Sequence, residues 1–218
     1  MKSRNKEPTI LLLTGLGMNY RLLYPYKRIC NTYGWQCEIV ENSSFSTDDI
    51  DEYSRKFASL VDKYENTIAI GISLGGLAII NALANHPSIA GKIQRVYTIC
   101  SPVKGIHEDI MSLSLSKKIM SGEWPDLFKL KKLGKTFLEK KIYNKISLMK
   151  EDISSTSIYS YFHENDHIVP PEKSFLDNSV KRRIKYKYPL IPKVFHHHAA
   201  CSDPRIFLEI LNEINSDY

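Results

Sequence analysis

Short uninterrupted apolar runs recur along this chain, and longer amphipathic stretches separate them. Such runs, rich in β-branched and aliphatic residues, are typical of strands that are buried on both faces of a parallel sheet. The pattern predicts six strands: Ile10–Leu16, Cys37–Val40, Thr67–Ser73, Val96–Cys100, Ser157–Phe162 and Lys193–Phe195. Because parallel strands need crossover connections, we expect helices between them.

Three stretches carry helix signals. Asp48–Tyr64 begins with two aspartates, which favour a helix N-terminus, and Leu74–Ala84 is short, apolar and expected to be buried. Pro204–Asn215 starts with proline at the first helical position, directly after Asp203 as the expected N-cap. Strands that alternate with helices predict a doubly wound α/β fold with a mostly parallel sheet of about six strands. The length of 218 residues fits one domain, residues 1–218.

One segment interrupts this alternation. Val103–Asp152 separates two predicted strands and is too long for a plain crossover, which indicates a helical lid inserted at 103–152. Apolar residues recur there at helical spacing: Leu130, Leu133, Phe137, Leu138, Ile142 and Ile146. Val103–Lys150 also holds 11 lysines against 5 acidic residues, a net charge of +6 that equals the net charge of the whole chain.

Cysteine spacing and the N-terminus indicate the compartment. The four cysteines form no CxxC pair, which argues against zinc ribbons and thioredoxin-like chemistry, and we expect buried, reduced thiols as in a cytosolic protein. The basic N-terminus before Ile10–Leu13 loosely resembles a signal peptide, but the apolar run is short and no small-residue cleavage site follows it. We therefore expect a cytoplasmic protein. No run approaches the roughly 20 apolar residues of a membrane span, which leaves peripheral membrane association open.

The segment Gly71-Ile72-Ser73-Leu74-Gly75 fits the pattern G-x-S-x-G. It directly follows a predicted strand and directly opens the apolar helix, so the chain must turn sharply at Ser73 and project the hydroxyl above the carboxyl edge of the sheet. The alternatives are a turn that only packs tightly and a turn that binds phosphate. Because the sequence there has neither GK[ST] nor G-x-G-x-x-G, phosphate binding is disfavoured, and we interpret Ser73 as a nucleophile.

A serine nucleophile needs a base, and the base needs an acid that fixes its tautomer. When the serine lies on such a strand-to-helix turn, the chain order is Ser, acid, His. Asp166 follows the predicted strand Ser157–Phe162, and His196-His197-His198 precedes the last helix. The chain therefore offers all three groups in the required order.

These motifs make the chain similar to small α/β hydrolases, in particular to small bacterial lipases and inositol-deacylase-like esterases. The motifs span nearly the whole chain: Leu12–Gly17, Gly71–Gly76, Cys100–Gly105, Asp166–Pro171 and His197–Arg205. The resemblance implies a minimal α/β-hydrolase fold in which Ser73 is the nucleophile and Asp166 the acid of a Ser-His-Asp triad.

The resemblance also implies an oxyanion hole formed by the backbone N–H groups of Leu16 and Leu74. The chain departs from the family at Thr14, where a histidine is usual, and at Ile72, where a histidine is frequent. Neither position supplies an essential side chain in this interpretation, so the departures concern local hydrogen bonding.

The histidine triplet leaves two candidates for the base. In the family, Asp-Pro commonly follows the histidine at six and seven positions, which Asp203-Pro204 satisfies for His197, whereas His198 would need a contraction by one residue. Adjacent side chains at a strand end point in opposite directions, so only one faces the nucleophile easily. His197 is favoured and His198 is the alternative, while Glu164 is the weaker alternative acid. Consecutive histidines are a poor chelate, and we expect neither a metal nor a cofactor.

The resemblance favours hydrolysis of a carboxylic ester, including a lipid acyl ester. A thioesterase or acyl-carrier-linked esterase with the same residues is the enzyme alternative, and an inactive hydrolase-like binding module is the non-enzyme alternative. Three interpretations of the lysine-rich 103–152 lid stay open. The lysines form a solvated face, or they attract an anionic membrane surface into which Trp124, Leu127 and Phe128 insert, or they dock an acidic acyl-carrier protein. The sequence shows no nucleic-acid-binding motif, so we do not expect that partner.

Overall fold

The computed structural model describes residues 7–15, 18–42, 50–104 and 156–217. Of the predicted lid at 103–152, only the first two residues lie within these ranges. Leu16 lies outside them. The strands of the described residues are β1 Thr9–Leu13, β2 Cys37–Ile39, β3 Thr67–Ile72, β4 Ile93–Ile99, β5 Ser157–Phe162 and β6 Val180–Arg183. The α-helices are α1 Tyr24–Thr32, α2 Ile50–Val61, α3 Leu74–Asn85, α4 His196–Cys201 and α5 Pro204–Asn215.

All six strands form one parallel sheet in the order β2-β1-β3-β4-β5-β6. The chain starts at β1, adds β2 on one side, and then adds β3 to β6 on the other side. The strand order therefore reverses between β1 and β3, and in open α/β sheets ligands bind outside the carboxyl ends of the strands at such a point.

Helices cover both faces of this sheet. Leu11 and Leu13 of β1 belong to the apolar cluster that contains α2 and α3, whereas Ile10 and Leu12 belong to the cluster that contains α1 and α5. Successive residues of a strand point to opposite faces, so each strand contributes to both clusters. This explains the uninterrupted apolar runs and confirms the predicted doubly wound α/β fold.

The prediction of a strand at Lys193–Phe195 is wrong. These residues form a short 3-10 helix after Pro192, and the sixth strand is β6, which pairs with β5 from the register Tyr159↔Val180 onward. β6 is an edge strand with mostly exposed, cationic side chains, so no apolar run marks it. Helix α1 is a further element that the sequence did not predict, because Cys30 is its only fully buried residue and no apolar run marks it.

Helix α5 has the predicted bounds, and Asp203 caps it by accepting a hydrogen bond from the Arg205 N–H at 2.9 Å. Helices α2 and α3 lie within two or three residues of their predicted bounds. Across the described ranges, no helix has both the length and the apolar character needed to cross a membrane.

Candidate active site

Ser73 lies at the junction between β3 and α3 with a strained backbone. Its φ of 50° and ψ of −118° belong to a region that residues with a side chain rarely adopt. Such a conformation costs about 1–3 kcal/mol and persists only where the surrounding structure imposes it. Here the Ser73 N–H donates to the Ile99 carbonyl at 2.8 Å, which ties the turn to the end of β4. The hydroxyl is thereby held at the carboxyl edge of the sheet.

The flanking glycines are required by close backbone approach. A Cβ atom on Gly71 would overlap the backbone of Gly76, so strand and helix cross where neither can carry a side chain. A Cβ atom on Gly75 would lie 2.6 Å from the Leu13 carbonyl oxygen of β1. The sequence G-x-S-x-G-G is therefore the steric condition for this turn.

His197, in the first turn of α4, connects two of the predicted site residues. Its Nε2 atom lies 3.0 Å from Ser73 Oγ, and its Nδ1 atom lies 2.6 Å from Asp166 Oδ2. A carboxylate only accepts hydrogen bonds, so we assign the proton of the neutral ring to Nδ1. Nε2 is then the acceptor that faces the serine hydroxyl, and the three side chains form one continuous hydrogen-bonded chain.

Asp166 is held in the turn that follows β5. Its Oδ1 atom accepts hydrogen bonds from the N–H groups of Ile168 at 2.9 Å and Val169 at 2.8 Å, which leaves Oδ2 for His197. The weaker alternative acid, Glu164, instead forms an ion pair with Arg183 at 2.5 Å on the surface. The structure therefore brings Asp166, and not Glu164, to the histidine.

Solved structures match the fold over nearly the whole chain. Bacillus licheniformis lipase BlEst2 in its mature form matches with a TM-score of 0.70 and 14% identity, over 96% of this chain and 93% of that one. The metagenomic carboxyl esterase MGS0156 matches with a TM-score of 0.67 and 13% identity, over 98% and 77%. The Paleococcus ferrophilus monoacylglycerol lipase matches with a TM-score of 0.60 and 15% identity, over 97% of both chains. The chain has the α/β-hydrolase fold.

No family model and no curated protein matches the chain. At identities near 14% the structural likeness establishes the α/β-hydrolase fold alone.

The histidine triplet of this α/β-hydrolase fold begins helix α4 and does not end a strand, so the premise of side chains alternating at a strand end is wrong. Successive residues of a helix are rotated by about 100°, so the three rings diverge. His196 Nε2 lies 3.0 Å from the Ile191 carbonyl oxygen, His197 points to Ser73, and His198 is exposed. Across the described residues, no three His, Cys, Asp or Glu side chains are arranged to hold a metal ion.

Two buried thiols lie beside the hydrogen-bonded Ser73, His197 and Asp166 side chains, a placement that the sequence did not predict. Cys201 is one helical turn after His197, with Sγ 3.6 Å from Nε2. Burial opposes the charged ring, but the Cys201 sulfur and the Asp166 carboxylate outweigh it and raise the pKa of His197. Cys100 directly follows β4. Its contact with Cys201, its burial and the nearby Asp166 raise the pKa of its thiol, which therefore stays protonated.

The predicted oxyanion hole is described in part. Leu74 is the first residue of α3, so its N–H belongs to the first-turn groups that lack an intrahelical acceptor, while Leu16 lies outside the described residues. A Cβ atom on Gly15 would lie 2.9 Å from Ser73 Cβ, so the loop after β1 packs against Ser73. Thr14, the departure from the family pattern, has its own partners: its N–H donates to Tyr53 Oη at 3.0 Å and its hydroxyl to Asn42 Oδ1 at 3.2 Å.

Proposed function

We propose that this chain is a serine hydrolase that cleaves carboxylic esters through an acyl-enzyme on Ser73. The observation that carries the proposal is the continuous hydrogen-bonded chain from Ser73 through His197 to Asp166, with atoms 3.0 and 2.6 Å apart. Lipases and a carboxyl esterase have similar folds, which supports an ester as the substrate.

In the acylation step, Ser73 Oγ attacks the ester carbonyl carbon while its proton passes to His197 Nε2. The carbonyl oxygen becomes an oxyanion, and the Leu74 N–H, which has no acceptor within its own helix, is the first proposed donor to it. The Leu16 N–H is the second donor that the family resemblance implies. Loss of one such donor raises the barrier by about 3 kcal/mol. When the intermediate collapses, the imidazolium returns its proton to the departing alcohol oxygen.

In the deacylation step, His197 takes a proton from water, and the resulting hydroxide attacks the acyl carbon. The Ser73 oxygen then leaves with the proton that His197 held. Two backbone N–H groups and His197 Nδ1 all donate to the Asp166 carboxylate, which fixes its position beside the ring. Its charge offsets that of the imidazolium in each step.

Covalent labelling tests the proposal. A fluorophosphonate probe should label the wild-type chain, and a series of nitrophenyl esters should be hydrolysed. Ser73→Ala should abolish both while circular dichroism and Tm stay unchanged. Ser59→Ala, which removes an exposed hydroxyl from α2, is the matched control and should behave as the wild type.

Full labelling of Ser73→Ala would place the nucleophile elsewhere, and a folded wild-type chain that takes no label would refute the proposal. A matched pair of an ester and a thioester with the same acyl group then separates the esterase from the thioesterase alternative.

A further inference from the structure

The segment from Ser179 to Phe195 leads from the edge strand to the catalytic histidine and contains no acidic residue. Its basic residues are Lys181, Arg182, Arg183, Lys185, Lys187 and Lys193. Three of them already have partners: Arg182 pairs with Glu213 at 3.5 Å, Arg183 with Glu164 at 2.5 Å, and Lys181 Nζ lies 4.3 Å from the Phe175 ring centroid.

Lys185, Lys187 and Lys193 are exposed. None of the ion pairs between described residues includes them. Three exposed cations on nine successive residues give this part of the surface a concentrated positive charge. Such a surface attracts an anionic one over about a Debye length, about 10 Å at 0.1 M salt.

Exposed large apolar side chains lie in the same segment as these lysines. Leu190 is 96% exposed, Phe195 44% and Ile191 37%. Leu190 and Ile191 lie between Pro189 and Pro192, in a turn closed by the Ile191 N–H donating to the Tyr188 carbonyl at 3.1 Å. Exposed apolar clusters of this kind mark interaction sites more often than isolated apolar residues do.

The same segment forms hydrogen bonds beside both His197 and Asp166. The Ile191 carbonyl oxygen lies 3.0 Å from Nε2 of His196, the residue before the proposed base. The Tyr186 carbonyl oxygen lies 3.2 Å from Nε2 of His163, which begins the turn that holds Asp166. Whatever contacts this segment therefore lies close to the candidate active site.

We propose that residues 185–195 dock the protein on an anionic lipid surface. Leu190 and Ile191 insert among the acyl chains, while Lys185, Lys187 and Lys193 contact the headgroup phosphates. An acidic protein partner would also pair with the lysines, but a nearly fully exposed leucine at a proline-flanked tip matches insertion into lipid. The docking is separate from ester hydrolysis and holds whether or not Ser73 turns over a substrate.

Vesicle sedimentation with the full chain tests the charge contribution. The wild type should bind vesicles of phosphatidylcholine mixed with phosphatidylglycerol and bind phosphatidylcholine alone far more weakly. Each lysine near an anionic surface contributes about a five-fold change in partitioning, so the triple variant Lys185→Gln, Lys187→Gln and Lys193→Gln should lose about 100-fold. The control variant Lys56→Gln, Lys63→Gln and Lys92→Gln removes the same charge elsewhere, from α2 and from just before β3 and β4, and should lose far less.

A second pair of variants tests insertion. Leu190→Ser with Ile191→Ser should reduce partitioning at least about ten-fold, because burying one such side chain contributes that much or more. Leu22→Ser removes another exposed leucine, 55% exposed, and should bind as the wild type. The Ser73→Ala variant should also bind as the wild type, so a failure of hydrolysis cannot be mistaken for a failure of docking.

Equal binding to both vesicle types, or binding to neither, would overturn the proposal. So would a loss confined to the lysine variant while the Leu190 and Ile191 variant binds normally, which is the behaviour of a surface for an acidic protein. Tm measurements on each variant show whether it is folded. The docking variants and Leu22→Ser change only exposed side chains.

Discussion

The turn around Ser73 and the segment around His197 hold their side chains in different ways. We call Gly71–Gly76 the elbow and residues 184–203 the histidine arm. In the elbow, backbone packs on backbone with no room for a further carbon atom. In the arm, polar contacts determine the shape, such as Tyr188 Oη donating to Asp203 Oδ2 at 2.9 Å. Steric contact tolerates almost no substitution, whereas each hydrogen bond contributes about 1 kcal/mol and can be lost singly.

Asp203 links the arm to helix α5. Burial opposes its charged form, but hydrogen bonds from Arg205 and Tyr188 outweigh burial and lower the pKa of Asp203. Tyr26 Oη also donates to the Ser202 carbonyl at 2.9 Å, which ties α1 to the end of the arm. The arm is thus an assembly of separate polar contacts, and the elbow is a single steric unit.

The largest effect should come from the proposed base in the arm. His197→Ala should lower kcat by about 10⁶-fold, because removing the histidine of a triad can cost as much as removing the whole triad. His198→Ala should change kcat less than about ten-fold, since that ring is exposed and lies on another side of α4. Steady-state hydrolysis of a nitrophenyl ester measures both, and the reverse pattern would assign the base to His198.

The acid should show the next largest effect. Asp166→Asn keeps the shape of the side chain but favours the wrong tautomer of His197, which should cost up to about 10⁴-fold in kcat. Glu164→Gln is the matched control two residues earlier, and it should stay near wild-type activity because Glu164 pairs with Arg183 on the surface. Loss of activity in the control but not in Asp166→Asn would move the acid to Glu164.

A single substitution in the elbow should disrupt the whole turn. Gly75→Ala would place Cβ 2.6 Å from the Leu13 carbonyl oxygen and 2.7 Å from the Thr14 carbonyl oxygen, both backbone atoms that cannot move aside. We expect the free energy of unfolding to fall by about 3 kcal/mol or more, with loss of activity. Gly91→Ala is the control, because the new carbon would have open space around it, and it should change the free energy of unfolding little. Urea titration of both variants measures the difference. Equal stability of the two variants would contradict the steric account.

The same contrast explains what the sequence could predict. Six successive residues determine the elbow, so the local pattern G-x-S-x-G between an apolar strand and an apolar helix was enough to predict its turn. The arm depends on partners distant in sequence. The edge strand Val180–Arg183 that precedes it carries mostly exposed, cationic side chains, so no apolar run reveals it. Cys201 lies four residues after His197, a spacing that becomes informative only once α4 is known to be a helix.

A smaller effect should appear at His163, where the arm meets the turn of the acid. Nδ1 accepts from the Asn165 N–H at 3.2 Å, so the proton of the neutral ring is on Nε2, which donates to Tyr186. Burial and the neighbouring His196 lower the pKa of His163, although Tyr186, Asp166 and Glu164 oppose the shift. The folded state therefore resists protonation at His163.

Because the unfolded chain binds this proton more readily, the stabilisation is present above about pH 6.5 and is lost as the pH falls below it. We expect the free energy of unfolding to decline between about pH 7 and pH 5. His163→Leu should reduce that slope, whereas replacing the exposed His167 with asparagine should not. An unchanged slope in His163→Leu would exclude this histidine as a source of acid sensitivity.

The smallest effect should come from the thiol beside the base. His197 Nε2 faces Ser73 Oγ at 3.0 Å and Cys201 Sγ at 3.6 Å, and the sulfur helps to raise the pKa of His197. The ring acts as a base only when neutral, so kcat/KM declines as the pH falls through this pKa. In a plot of kcat/KM against pH, Cys201→Ala should therefore move the acidic limb to lower pH and change the plateau value less than about ten-fold.

Cys37→Ala is the control. It removes a buried thiol from β2, remote from His197, and should leave the acidic limb in place. A limb that moves upward, or that moves equally in both variants, would show that Cys201 only fills space and does not tune the base.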